Sequence, residues 1–561
     1  MNAREAPLWR DATFGDALAW AADVHGDREA VVFGAQRISF AALAGRARAF
    51  ARGLVALGVA PGDKVALWMS DCPEWLVARW AIPLIGAVLV PVNTRFREHD
   101  VQYVLAQSDT STLIVQQGNR GTSYFDILGQ LDPGWREHPA GGWQSAALPM
   151  LRRAIALPAA GGEALPSAVS AFGAVESAGR ALLADGVLAA RMAAVSPQDV
   201  AQIMYTSGTT SFPKGAQVCH GALLQNNFQT TLRMQLSPRD RYLSCVPLFS
   251  ATGTGYTLSM LLAGATMVIV DHFDPQLFCA TVEKERITVG FFVDTIVQDL
   301  KNYPDRSRYD LTSLRTGTGA PLSRDAFLFA THELGIPELI GVFGMSETSN
   351  AVTRCDCRDP LSKRATTNGR AVAGVEIRIA EVESNRTLGV GEVGEICIRG
   401  YVLMKGYYKQ PEEDRKAFDG EGWLHSGDLG ELDADGYLIY RGRVKEMIKP
   451  GGFNVATQEI EVFLKGYPGV REAVVVGVPD RRLGEVGYAY VELQAGVAVS
   501  GEALQQHCRE HIASYKVPRY VEFVTGWPLT GSQKIRKLEL KARAANTLAQ
   551  GAAPAEVIAG D

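Results

Sequence analysis

The sequence predicts an α/β protein of at least two domains, with parallel sheets covered by helices. Three observations predict it. Strand-like and helix-like runs alternate through most of the chain, the order that builds parallel sheets. The chain has 561 residues, more than one hydrophobic core usually serves. Its composition, 47% hydrophobic and 21% charged, is that of a globular protein.

The elements follow in order. In RISFAALAGRARAFARGLVALGV, Ser39 can cap a helix whose apolar face carries Leu43, Ala47, Phe50, Leu54 and Leu57, and Gly58 can end it. KVALWM (64–69) reads as a buried strand, and the stretch from Pro73 as the next helix. WAIPLIGAVLVPV (80–92) is the most apolar run. It is too short to cross a bilayer and reads as a buried helix end followed by a core strand. Further strands are expected at 112–115, 242–249, 266–270 and 287–293. Residues 141–188, rich in Ala, Gly and Pro, read as a variable surface excursion containing a helix. From Gly391 short strands and tight turns take over. After Glu472 a small α/β pattern has AVVVGVPD, YAYVEL and YVEFV as strands, and residues 547–561 read as a frayed tail.

Charge and cysteine usage narrow the function. Net charge is -5, from 56 basic and 61 acidic residues, without the basic excess that a phosphate backbone selects, so nucleic acid is not an expected partner. The eight cysteines are scattered, and Cys355 and Cys357 lack partners at zinc-ligand spacing. Reduced thiols in a cytoplasmic protein are the expectation. The start, MNAREAPLWR, has no signal-peptide core, and no transmembrane segment is expected.

One stretch carries chemistry on its face. Residues 205–215, YTSGTTSFPKG, crowd hydroxyls and glycines beside one lysine. Glycines let backbone N–H groups approach an anion and hydroxyls add donors, so the stretch suits a phosphate cradle. It is not a Walker-type P-loop. Alone, the second reading is a Ser/Thr/Gly-rich turn with no ligand, the less favoured of the two.

Its companions change the reading. The stretch resembles the phosphate loop of the adenylate-forming superfamily, which holds acyl-CoA synthetases, luciferases and peptide-synthetase adenylation domains. Five more blocks resemble that superfamily in its order: RTGTGAPLS (315–323), FGMSETS (343–349), GWLHSGDLG (422–430), YRGRVKEMIKPGGFNV (440–455) and PLTGSQKIRKLEL (528–540). The resemblance implies residues 1–444 as an adenylate-forming domain with a β-barrel-like subdomain. It implies 445–546 as a small mobile α+β domain hinged at Lys445.

The chemistry follows from the resemblance. A carboxylate attacks the α-phosphate of ATP and releases pyrophosphate, so the protein supplies positioning and donors. Thr206, Ser207, Gly208, Thr209, Thr210 and Lys214 are expected on the β- and γ-phosphates, and Glu347 with Thr206 on Mg²⁺. Gly319, Ala320, Pro321, Phe343, Gly344, Met345 and Ser346 are expected around the adenine, and Asp428 on the ribose. Arg443 is expected on ribose or phosphate, Lys534 on the carboxylate and the transferring phosphoryl group, and Gly451 and Gly452 along a CoA channel. The acyl pocket is expected at Phe249, Ser250, Gly253, Phe292 and Asp294.

Several positions depart from the family pattern. Ser211 stands where glycine is usual, Ser346 for threonine, Gln533 for glycine, and NVATQEIE lacks a proline. Ser250 replaces an aromatic or histidine gate, and Asp294 stands where proline is frequent. The absence of aspartate after Phe249 disfavours an amino-acid substrate. The expected activity is therefore a carboxylic acid–CoA ligase using ATP, Mg²⁺ and CoA, on a medium- or long-chain, alicyclic or aromatic acid. Its partners are small molecules, and a homodimer is compatible with the sequence. Two rivals are an acyl-AMP ligase that serves a carrier protein and a degenerate synthetase that only binds nucleotide.

Overall fold

The computed structural model describes residues 8–139, 141–159, 162–182, 186–206, 213–320, 322–448, 450, 455–480, 483–512, 514–529 and 535–549, with Lys445 described by its backbone alone. The chain divides into two compact units. The first holds residues 1–376 and 399–424; the second holds 377–398 and 425–561.

Two sheets form the first unit. The larger has nine strands in the order Arg370–Ala371, Asn350–Arg354, Glu338–Met345, Thr316–Gly319, Val289–Phe292, Arg241–Ser244, Thr266–Ile269, Glu29–Phe33 and Gln36–Ser39. The six strands from Glu338–Met345 to Glu29–Phe33 run parallel, and the edge strands turn antiparallel. The other has seven strands, Lys214–Cys219, Val200–Thr206, Val88–Pro91, Lys64–Trp68, Thr110–Gln116, Arg153–Leu157 and Val169–Ala171, antiparallel only at its Lys214–Cys219 edge. Val65, Ala66, Leu67, Trp68 and the whole of Val88–Pro91 are buried, as strands covered on both faces must be. Local signals hold the connecting helices. Ser39 caps Phe40–Ala56 by accepting the Ala42 N–H, and Gly58 leaves that helix at φ +83°.

Two expectations need correction. Residues 141–188 are no mere excursion, because Arg153–Leu157 and Val169–Ala171 extend the seven-stranded sheet. Alanine-rich strands such as RAIAL carry almost no β-branched signal. Helix Phe172–Ala181 packs tightly on Phe40–Ala56. Phe50 and Phe172 stack at 4.1 Å, and Arg46 meets Glu176 at 3.0 Å. The strand expected at 242–249 ends at Ser244. Beyond it the Leu248 N–H turns to the buried Asp71 carboxylate, 2.9 Å away, and Pro247 offers no donor for a ladder.

Val375–Ala380, Gly394–Gly400, Leu424–Leu432 and Leu438–Arg443, most of whose residues fall in the second unit, form a four-stranded sheet where a barrel-like subdomain is expected. Three strands, Val470–Asp480, Gly484–Leu493 and Tyr520–Phe523, form the C-terminal sheet. Alternation places Val475 against Ile460, Leu464 and Leu504, while Val474 and Val476 face Tyr490 and Leu540. Both faces are therefore covered by helices, giving an α+β arrangement. No helix among the described residues is long and apolar enough to cross a membrane.

The close helix pair sets a stability test. A Cβ at Gly179 would overlap the Ala49 carbonyl and lie 2.7 Å from the Gly53 nitrogen, whereas one at Gly173 meets nothing within 4 Å. Gly179→Ala should destabilise by about 1–3 kcal/mol. Gly173→Ala should be neutral or stabilising by up to about 1 kcal/mol. Denaturant melts of both variants check the difference; equal melts would mean that the helices separate freely.

Candidate active site

The phosphate-loop candidates begin on a hairpin. Strands Val200–Thr206 and Lys214–Cys219 pair antiparallel, with Thr206 opposite Lys214 and Tyr205 opposite Gly215. Ser207, Gly208, Thr209 and Thr210 lie outside the described residues, but register holds the ends of their segment. The Lys214 ammonium pairs with Glu413 and stands 4.9 Å from the centre of the Tyr407 ring. That pairing, with a second from Lys416, holds the Glu413 carboxyl down to about 2.

Tyr407 joins this lysine to a buried acid. Its hydroxyl donates to Glu347 Oε1 at 2.8 Å, and burial together with Glu347 pushes its phenol well above the ordinary value. Glu347 is 6% exposed and sits in the turn Ser346–Thr348 that closes strand Glu338–Met345. The turn is tightly held. Asn226 donates to the Thr348 carbonyl at 2.9 Å, Ser349 to the Val402 carbonyl at 2.9 Å, and Asn350 to Asn227 at 2.8 Å. Ser349 and Asn350 take φ of +57° and +113°, conformations that non-glycine residues adopt only when their surroundings impose them.

The expected adenine segments share one sheet edge. Phe292 pairs with Gly319, and Gly319 with Gly341. The segments that follow these parallel strands, with Asp294, Ala320 and Phe343–Ser346, therefore leave at their carboxyl ends, where α/β sheets bind ligands. A Cβ at Gly344 would overlap Ala351 and lie 2.7 Å from its nitrogen. Pro321 lies outside the described residues.

The acyl-pocket candidates are less uniform. Phe249 is half-buried. Ser250 caps helix Ala251–Ala263, accepting the Gly253 N–H at 2.9 Å and donating to the Pro247 carbonyl at 2.7 Å, and Gly253 packs on Pro247 and Leu248. Phe292 lies in the core against Phe278. Asp294 accepts the Ser323 N–H at 2.9 Å and its hydroxyl at 2.7 Å, steadying the cap of helix Arg324–His332.

The remaining candidates lie in the second unit. Asp428 is 3% exposed and faces Arg443 across paired strands, with Nε 2.9 Å from Oδ1. Beside it, Glu395 accepts the Gly427 N–H at 2.9 Å and meets His425 Nδ1 at 2.8 Å. Lys445 lies in the short turn Val444–Glu446. Gly451, Gly452 and Lys534 are outside the described residues, and Leu529 bridges Ile535 on either side of the last. Tyr407, Glu413 and Glu395 escaped the sequence reading. They fall outside the six blocks, and only the GYYKQPEED and GEICIRG runs hint at them.

The donor set suits a nucleoside triphosphate with a hard cation, since Thr206 and Glu347 offer oxygen and Lys214 a positive charge. Comparison with known proteins agrees. The AMP-binding enzyme family matches residues 18–408, and the AMP-binding enzyme C-terminal domain matches 459–534. The chain belongs to this family, the adenylate-forming superfamily. Within it the chain is an ATP-dependent acid–thiol ligase that works through an acyl-adenylate. It is 37% identical over 534 residues to the 3-[(3aS,4S,7aS)-7a-methyl-1,5-dioxo-octahydro-1H-inden-4-yl]propanoyl:CoA ligase of Rhodococcus jostii, covering 94% of this chain and 98% of that one. With the mitochondrial medium-chain acyl-CoA ligase ACSF2 of Mus musculus it shares 30% over 543 residues, 95% of this chain and 87% of the other. The structure of the anthranilate CoA ligase AuaEII in complex with anthranoyl-AMP superposes with a TM-score of 0.81 at 25% identity, over 98% of this chain and 100% of that one.

The Asp428 neighbourhood has a pH signature. The Cys397 sulfur and the Glu395 carboxylate both face His425 Nδ1 and raise its pKa to about 10. The folded state keeps that proton where the unfolded chain, with a pKa of about 6.5, has released it. Its stabilisation is complete below about pH 6.5 and fades as pH rises through about 10. Urea unfolding at pH 6 and pH 9 should show wild type losing more stability with rising pH than His425→Gln. Identical pH slopes would mean that His425 is neutral in the fold.

Proposed function

We propose that this protein is a carboxylic acid–CoA ligase acting on medium- or long-chain, alicyclic or aromatic acids. The substrate carboxylate attacks the α-phosphorus of ATP, forming the acyl–O–P bond as pyrophosphate leaves. The CoA thiolate then attacks the acyl carbonyl and AMP leaves. The observation that carries this reading is the chain of contacts from Lys214 through Tyr407 to Glu347. It places a cation and a buried carboxylate around one phenol, with Thr206 paired opposite that cation's residue. The acyl class is supported by the ring-bearing and medium-chain acids in the names of similar ligases.

Each residue then has a task. Thr206, Ser207, Gly208, Thr209, Thr210 and Lys214 orient the β- and γ-phosphates. Thr206 and Glu347 would hold Mg²⁺, which when bound neutralises charge on phosphate oxygens. Gly319, Ala320, Pro321, Phe343, Gly344, Met345 and Ser346 frame the base. Asp428, steadied by Arg443, accepts from the ribose hydroxyls. Lys534 balances charge on the attacking carboxylate and the phosphoryl oxygens. Lys445 is the pivot between residues 1–444 and 445–546, after which Gly451 and Gly452 flank the entering thiol.

A panel of acetate, octanoate, cyclohexanecarboxylate and benzoate, scored for AMP with and without CoA, tests the assignment. Fastest turnover on one of the last three with CoA is the expected result. AMP release that needs a carrier protein would refute CoA as acceptor, and preference for acetate would refute the acyl class.

Two variants probe the roles. Lys534→Ala should lower adenylate formation by roughly 10²–10³-fold while sparing thioester formation from supplied acyl-AMP; equal losses would make it structural. Tyr407→Phe frees the Glu347 carboxylate and should raise the Mg²⁺ concentration needed for half-maximal AMP formation by about tenfold, as loss of a supporting hydrogen bond to a ligand does. An unchanged magnesium titration would leave Tyr407 a packing residue.

A further inference from the structure

The second unit contains an ion cluster outside the six sequence blocks' assigned tasks. Lys537 opens helix Lys537–Ala549, and its ammonium lies 2.6 Å from Glu446 Oε2 and 2.9 Å from Glu461 Oε1. Glu461, on helix Thr457–Lys465, is 7% exposed and also accepts the Val475 N–H at 2.8 Å. Glu446 ends the turn Val444–Glu446, directly after Lys445. Burial opposes the charge on Lys537, yet Glu461 and Glu446 outweigh it and raise the ammonium above the ordinary lysine value. Lys537 is therefore a cation held from two sides.

Its position in the chain matters. Lys537 stands three residues after Lys534. The segment between is tied again by the Leu529–Ile535 bridge and by the Arg536 N–H, which donates to the Pro528 carbonyl at 2.8 Å. One side chain thus spans from the residue after the pivot to the base of the lysine segment.

We propose that Lys537 is a positioning residue: through Glu446 and Glu461 it fastens the segment that carries Lys534 to the turn that contains Lys445. The physical reason is leverage. When a body rotates about a few torsions, a group far along the chain returns to the same place only if its distance from the pivot is fixed. A contact with Glu461 alone anchors Lys537 to a neighbouring helix. The added contact with Glu446 anchors it to the pivot itself. This inference rests on the roles proposed for Lys534 and Lys445.

Glu446→Gln is the informative variant, because it breaks the link to the pivot and leaves the buried Glu461 paired with Lys537. Adenylate formation, measured with whichever panel acid turns over fastest, should fall by at least about tenfold, the kind of loss a misplaced catalytic group causes. Thioester formation from the supplied adenylate of that acid should stay within about twofold, since Lys534 takes no part in it. Hydrogen exchange should quicken in 443–448 and 528–536 and stay unchanged in 470–480. Lys537→Arg, which can still span both carboxylates, should behave as wild type in all three measurements.

The outcomes separate. Unchanged exchange in 443–448 and 528–536 overturns the fastening. Quickened exchange with both half-reactions equally affected, or neither, overturns the positioning role. If Lys534→Ala leaves adenylation intact, the proposed role of Lys534 fails, and the positioning role falls with it even where exchange confirms the fastening.

Discussion

A buried carboxylate must be fixed before it can fix anything else. Glu347 is nearly excluded from water, in a place where an unpaired charge would be costly. It is held by the Tyr407 hydroxyl on one side and by its own turn on the other. That turn carries two non-glycine residues at positive φ, at a cost on the order of 1–3 kcal/mol each. Contacts with Asn226, Asn227 and Val402 offset it. The same tyrosine ring faces Lys214, so the acid and the base of the first unit are spaced by one rigid side chain. A flexible linker would let two opposite charges collapse on each other. An aromatic ring between them keeps the two apart, Lys214 paired with Glu413 and Glu347 with the phenol.

The sheets explain why these groups meet. In the nine-stranded sheet, parallel register sets Phe292, Gly319 and Gly341 level with one another, so the segments after these residues emerge side by side although far apart in sequence. In the seven-stranded sheet an antiparallel edge pair brings Thr206 opposite Lys214. Backbone pairing sets those separations to within the spacing of a ladder, whatever the chain between them does.

Much of the fold was legible in the sequence because its signals are local. Alternating apolar runs, the Ser39 cap and the Gly58 stop each depend on a few neighbouring residues, and the helix and strands found there follow them. The alanine-rich strand Arg153–Leu157 was not legible, since its place in a sheet depends on Thr110–Gln116 beside it rather than on its own propensity. The acyl-side candidates show the same limit. Ser250 and Asp294 depart from the family pattern, yet Ser250 bonds to Pro247 and Gly253 as a helix cap and Asp294 accepts from Ser323, the cap of another helix. No reading along the chain could have assigned them those partners.

The sequence by itself determined the family, the class of chemistry and the order of the blocks that carry it. These reside in residue types at short spacings, and short spacings survive without a fold. Only the tertiary structure decided which side chains support those blocks. Tyr407 reaches back to Glu347, Arg443 crosses to Asp428, and Lys537 returns to Glu446. Arg443 meets Asp428 across a hairpin, while the other two contacts join residues separated by other elements, and their meeting is set by strand order and helix packing. Packing is a property of the whole chain at once, and no local stretch contains it.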